Sequence, residues 1–174
     1  MESYRLDKDS LGEVKVPSTA YYGPFTVRAS NQYKVTGQKP HLNMIKAFAM
    51  IKRSAALANR DLNILPAEKA NAIVKACDEI LSGNLLDQFI VDTVNSGAGT
   101  AFNMNINEVI ANRALEISGH SIGDYSFINP NDDINMSQSS NDTFPTAMNI
   151  ALLMNMKGVN DSLMTLLMVL EKKG

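Results

Sequence analysis

The sequence predicts a mainly α-helical protein: an N-terminal extended arm and a helical domain that runs into a long bundle helix. Three observations carry this expectation. Leu152, Met156, Val159, Leu163, Leu166 and Leu170 recur at alternating steps of four and three, a heptad seam lying within a segment from about Thr143 to Lys172. Three shorter stretches upstream show the same helical spacing of apolar residues. No alternation of strand and helix patterns runs along the chain, so the glycine-rich SGAGT is neither a dinucleotide-binding turn nor a P-loop, and it lacks the lysine of the latter.

The elements follow in chain order. Residues 1–40 read as irregular, punctuated by Pro17, Gly23, Pro24, Gly37 and Pro40, with VKVP as a short strand or extended arm. Met44, Phe48, Ile51, Ala55 and Ala58 mark one face of the first helix. Pro66 suits the first turn of the next, where its missing N–H leaves no bond unmade. Ala70, Ile73, Cys77 and Ile80 form that helix's apolar face, Gly83 ends it, and Cys77 reads as a small core residue. LLDQFIVDTV is helix or extended chain. After SGAGT, the spacing of Ile106, Ile110, Ala114 and Ile117 predicts another helix, which Gly119 stops. The last helix, of about 30 residues, is roughly 45 Å long, with Pro145 expected in its first turn. Gly158 inside it costs about 1 kcal/mol against alanine. Ile150, Leu153, Met154, Leu167 and Val169 widen its apolar stripe. A helix apolar around so much of its surface calls for several neighbours, in a multi-helix bundle between subunits.

Bulk properties narrow the function classes. The 174 residues suffice for a domain with a real core, and 45% apolar with 20% charged residues is ordinary for a globular protein. Lys plus Arg number 16 against 18 Asp plus Glu, for a net charge of −2 without a basic block, which argues against nucleic acid and anionic membrane as partners. The single cysteine, Cys77, rules out an internal disulfide framework and fits a reducing compartment. MESYRLDKDS is not a signal peptide, and no apolar run is long enough to span a bilayer, so the expected location is the cytoplasm.

Two motifs concentrate chemistry. In the stretch NPNDDINMSQSSNDTFPTAMNI, Ser139, Ser140, Asn141 and Asp142 stand where the long helix must begin. All four are N-cap residue types, and capping is one account of them. One cap explains one residue, however, and hydroxyls and an amide at a helix N-terminus also suit a carboxylate ligand. SGAGT builds a second such mouth: Gly97 and Gly99 permit close backbone approach, and Thr100 offers a hydroxyl. Asn103, Asn105 and Asn107 follow, weak helix formers that serve either as capping and inter-helix bonding groups or as part of a site.

Together these motifs resemble the aspartase and class II fumarase superfamily. SGAGTAFNMNINEVIANRALE is similar to one family region and PNDDINMSQSSNDTFPTAMNIA to another; RLDKDSLGEVKVP, AYYG, DLNILPAEKANAIVKACDEILSG and LDQFIVD fit as well. The resemblance implies a helical lyase that eliminates ammonia or water from a small dicarboxylate to give fumarate, through an aci-carboxylate intermediate held by preorganised donors. It implies Thr100, Ser139 and Ser140 on the carboxylate next to the departing proton, Asn141 near the leaving group and Asn103 lining the site. Asn131 and Asp132 are candidates for a second anion site, although Asn129 stands where fumarases carry histidine. No cofactor and no metal ligands are expected.

AYYG, GAGT, GHSIGDY, ACDEIL and LDQF lean towards the aspartase branch, whose substrate is L-aspartate; SSND leans towards fumarase, the alternative. Phe25 and Asn95 stand where glutamine is usual, and Phe102 beside Thr100 is expected to pack in the core. The family's Thr-His stretch and its flexible Ser-Met-Lys-Asn loop, which carries the base, have no counterpart here, so no catalytic residue is assigned. His41 and His120 lie outside the matched positions. The expectation is an N-terminal portion of a longer lyase, with 1–140 as the N-terminal lyase domain and 141–174 as the start of the central bundle domain. The family implies a homotetramer with each active site built from three subunits, and hence an inactive isolated portion. A catalytically silent helical oligomerisation scaffold is the alternative of another class.

Overall fold

The computed structural model describes residues 3–173, the side chain of Lys157 aside. It is mainly helical, as expected. A β-hairpin pairs β1 (Tyr4–Asp9) with β2 (Gly12–Pro17) antiparallel, Arg5 opposite Val16 and Asp7 opposite Val14. Five helices follow: α1 (Pro24–Gln32), α2 (Leu42–Asp61), α3 (Ala67–Leu81), α4 (Thr100–Ile117) and α5 (Ser140–Glu171). LLDQFIVDTV resolves into a single tight turn, Leu86–Gln88, followed by irregular chain with bends.

The N-terminal region is more regular than its sequence suggests. The hairpin's first strand and α1 were both expected to be irregular chain. The strand is organised by its pairing with β2, and α1 by a partner distant in sequence. Arg5 donates to Asp7 and to the carbonyls of Pro17, Ala20 and Tyr22, tying the hairpin to the chain that follows it. Helix α1 has no side-chain cap of its own. Its N–H groups at Gly23, Phe25 and Thr26 donate instead to the buried carboxylate of Glu108 on α4, at 2.9–3.0 Å. Burial pushes that carboxyl's pKa up, against the three N–H bonds.

Helix α4 is the hub and is buried on nearly every side. This explains its asparagines. Asn105 accepts from Ile90 N–H and donates to Gln88 carbonyl, and Asn112 donates to Tyr21 carbonyl and accepts from Gly123 N–H. Each amide satisfies the backbone of a loop crossing the helix, which would otherwise be left with unpaired polar groups. The core lies where α2, α3 and α4 meet the start of α5. Ala70, Ile73, Cys77 and Ile80 are buried as their spacing predicts, and burial pushes the Cys77 thiol up to about 12, so it is inert packing.

Three helix details differ from expectation. On α2 the buried ridge is Ile45, Phe48, Lys52, Ala56 and Asn59; of the predicted face Phe48 is buried, Met44 and Ile51 pack partly buried against the core, and Ala58 is exposed. Two polar residues sit on this ridge because each has a partner inside, so a count of apolar residues misplaces it. Pro66 is the residue before α3 rather than within its first turn. Helix α5 starts at Ser140, within the Ser139–Asp142 stretch expected to begin it, and Pro145 falls in the second turn rather than the first, where it returns no N–H to the Asn141 carbonyl. From Leu152 onward its apolar side chains, half-buried Met154 apart, are uncovered: Leu153 is 71% exposed and Leu163 57%.

Candidate active site

The two motifs meet. Gly97, Ala98 and Gly99 all have positive φ, at 66°, 49° and 98°, and form one tight turn before Thr100 begins α4. At Gly99 the ring of Phe144, from the second turn of α5, lies directly on the backbone. Asn103, one turn into α4, donates from Nδ2 to Ser140 Oγ at 2.9 Å. The starts of α4 and α5 are thus locked together at two points.

Around this junction the predicted residues take distinct positions. Ser139 is the N-cap of α5, its Oγ accepting from Asn141 N–H at 3.3 Å. Ser140 is half-buried and Asn141 exposed. Thr100 is half-buried, its hydroxyl donating to Gly97 carbonyl at 2.7 Å. Asn103 is buried, and its Nδ2 also donates to Asn135 Oδ1 at 3.1 Å. Phe102 is buried edge-on against Phe48 and Phe89, as expected of a core residue, and also lines an apolar cavity of about 360 Å³ between α2 and α5.

Asn131 and Asp132 lie apart from this junction, in a one-turn π-helix, Pro130–Ile134, beside a second cavity of about 570 Å³. Their N–H groups both donate to Asn129 Oδ1, at 2.8 and 3.1 Å, so the Asn129 amide occupies the position an anion would take. His41 caps α2 through Nδ1, accepting from Asn43 N–H. His120 stacks on Phe127 and contacts Asp124 at 3.0 Å. Among the described residues no group of three or more His, Cys, Asp or Glu is placed to hold a metal ion, and no helix is long and apolar enough to cross a membrane.

Lys52 and Asn135, both in the site region, were not legible in advance. Lys52 is buried in α2 and donates to Asn135 Oδ1 at 2.8 Å; Asn107 adds a third donor to the same oxygen at 3.3 Å. Burial pulls the Lys52 ammonium down to about 7. The one available signal for Lys52 was a lysine at the i+4 position from Phe48 on a largely apolar helix face.

Comparison with known proteins agrees with this architecture. A lyase family model matches residues 12–174. The chain is 54% identical over 152 residues to the aspartate ammonia-lyase of Bacillus subtilis (strain 168), covering 87% of this chain and 32% of that protein. It is 50% identical over 151 residues to the class II fumarate hydratase of Haemophilus influenzae, covering 86% and 32%. The solved structure of a fumarate lyase:delta crystallin from Brucella melitensis bound to cobalt superposes with a TM-score of 0.95 at 48% identity, over 99% of this chain and 38% of that one. Fold and matches define a helical chain of the fumarase/aspartase-type family. The chain belongs to the lyase family that contains the aspartate ammonia-lyases and the class II fumarate hydratases. It spans about a third of the length of the curated relatives it matches.

Proposed function

We propose that this chain is part of an aspartate ammonia-lyase that converts L-aspartate to fumarate and ammonia. The observation that carries the proposal is the pair of serines at the start of α5. Ser139 Oγ accepts from a backbone N–H and Ser140 Oγ from the Asn103 amide. With protein donors on their lone pairs, both hydroxyls have their own protons left to give to a carboxylate. Thr100 joins them when its hydroxyl turns from Gly97 carbonyl to the ligand. Removal of the proton next to that carboxylate puts a second negative charge on it, and preorganised donors stabilise that charge more than they stabilise the ground state. Ammonia then leaves from the side of Asn141. The base comes from sequence beyond these residues, so residues 1–174 alone release no fumarate.

Residues 1–140 are taken as the N-terminal domain and 141–174 as the start of a central bundle, with a homotetramer as the assembly. The uncovered seam of α5 supports that assembly, and the free, buried Cys77 fits a cytoplasmic location. A second anion site at Asn131 and Asp132 requires displacement of the Asn129 amide. Class II fumarate hydratase is the second reading, favoured by SSND and by the Haemophilus influenzae relative. Fumarate formation by the full-length protein from L-aspartate, compared with L-malate, separates the two. Turnover of malate alone overturns the ammonia-lyase assignment.

A further inference from the structure

We propose that Lys52 is a positioning residue for this reaction, acting through Asn135 and Asn103 to hold the Ser140 hydroxyl in its donor orientation; this rests on the site described under Proposed function. The geometry is a relay of three bonds. Lys52 Nζ donates to Asn135 Oδ1 at 2.8 Å, Asn103 Nδ2 donates to the same oxygen at 3.1 Å, and Asn103 Nδ2 also donates to Ser140 Oγ at 2.9 Å. The two hydrogens of an amide NH₂ lie in one plane at a fixed angle. Pinning one on Asn135 therefore aims the other at Ser140. Asn135 is itself anchored, its Nδ2 donating to Gln138 carbonyl at 3.1 Å.

A space-filling role does not account for lysine at this position. Lys52 is 1% exposed, and among the described residues no carboxylate pairs with it. A buried unpaired ammonium is costly, and an apolar side chain of the same length would fill the site at lower cost. Without Lys52, Asn135 Oδ1 keeps the Asn103 and Asn107 donors, so nothing is left unsatisfied; what is lost is the short 2.8 Å bond that fixes the oxygen.

The test is a double-mutant cycle on the full-length enzyme, reading kcat, KM and melting temperature. Lys52→Met is expected to lower kcat about tenfold or more, to change KM less than about threefold, and to leave the melting temperature equal or higher. In a Ser140→Ala background the same substitution is expected to cost less than about twofold, because the group it positions is gone. Equal losses in both backgrounds, or full kcat in Lys52→Met with kcat lost in Ser140→Ala, overturn the positioning role alone. Full kcat in Ser140→Ala overturns the site and this role together. If Lys52→Met does not fold, Lys52→Gln, which leaves Asn135 and its Asn103 and Asn107 donors in place, is judged by the same comparison.

Discussion

The ring of Phe144 rests on Gly99 so closely that a Cβ at Gly99 would lie 2.0 Å from Phe144 Cδ2. This contact holds the turn before α4 against the second turn of α5 and sets the distance between Thr100 and the serine pair. Gly99 also has φ +98°, outside the range most side chains adopt. Gly99→Ala therefore meets two penalties, overpacking of about 1–3 kcal/mol and backbone strain of about 1 kcal/mol. Urea unfolding is expected to show a loss of about 2–4 kcal/mol, smaller when Phe144→Leu is added. Strictly additive losses would mean that ring and glycine are not coupled.

Ser140→Ala separates chemistry from capping. The N-cap of α5 is Ser139, so the helix keeps its cap. Turnover of L-aspartate by the full-length enzyme is expected to fall about 10²–10³-fold, the usual result of losing one oxyanion-type donor. Stability is expected to change by about 1 kcal/mol, for one hydrogen bond lost at Asn103. A lowered melting temperature with intact turnover would assign Ser140 to structure alone.

Lys52 makes stability pH-dependent in a defined direction. Its pKa falls from the ordinary 10.5 to about 7 on burial, so between these values the unfolded chain holds more protons than the folded one. Stability from this group therefore rises as pH goes from about 7 towards about 10.5, by at most about 1.4 kcal/mol per unit. Below that window the folded state carries the full burden of a buried charge. Lys52→Met is expected to flatten this slope in urea titrations at a series of pH values. An unchanged slope would show that Lys52 keeps a normal pKa in the folded protein.

The exposed seam of α5 gives a prediction for assembly. Covering each of Leu152, Met156, Val159, Leu163, Leu166 and Leu170 contributes roughly 1.5–3 kcal/mol, and all six are at least 48% exposed in the single chain. The chain is expected to self-associate through this face, and Leu163→Glu to dissolve the oligomer by placing a charge in mid-seam. Light scattering distinguishes the outcomes: a stable monomer without substitution contradicts the proposal.

Much of the helical framework was legible in the sequence. The faces of α3 and α4 and the existence of α5 follow from apolar spacing, because a helix repeats every 3.6 residues whatever surrounds it. The meeting of the SGAGT and SSND motifs was implied by resemblance. Its mechanical basis, Phe144 on Gly99 and Asn103 on Ser140, depends on which faces of α4 and α5 oppose each other. The hairpin's first strand and α1 were missed because the strand's backbone groups are satisfied only by pairing with β2, and the first N–H groups of α1 by Glu108, more than eighty residues away.

What the sequence by itself determined is the set of local periodicities, the two hydroxyl-rich helix starts and the absence of a basic or membrane-spanning face. The tertiary structure alone decided where α2 turns its ridge, why Asn105 and Asn112 are buried, and that Lys52, Asn103 and Asn107 converge on one Asn135 oxygen. The physical reason is that apolar burial leaves a periodic trace along a chain. The pairing of a buried polar group is settled by a partner whose position only the completed packing supplies.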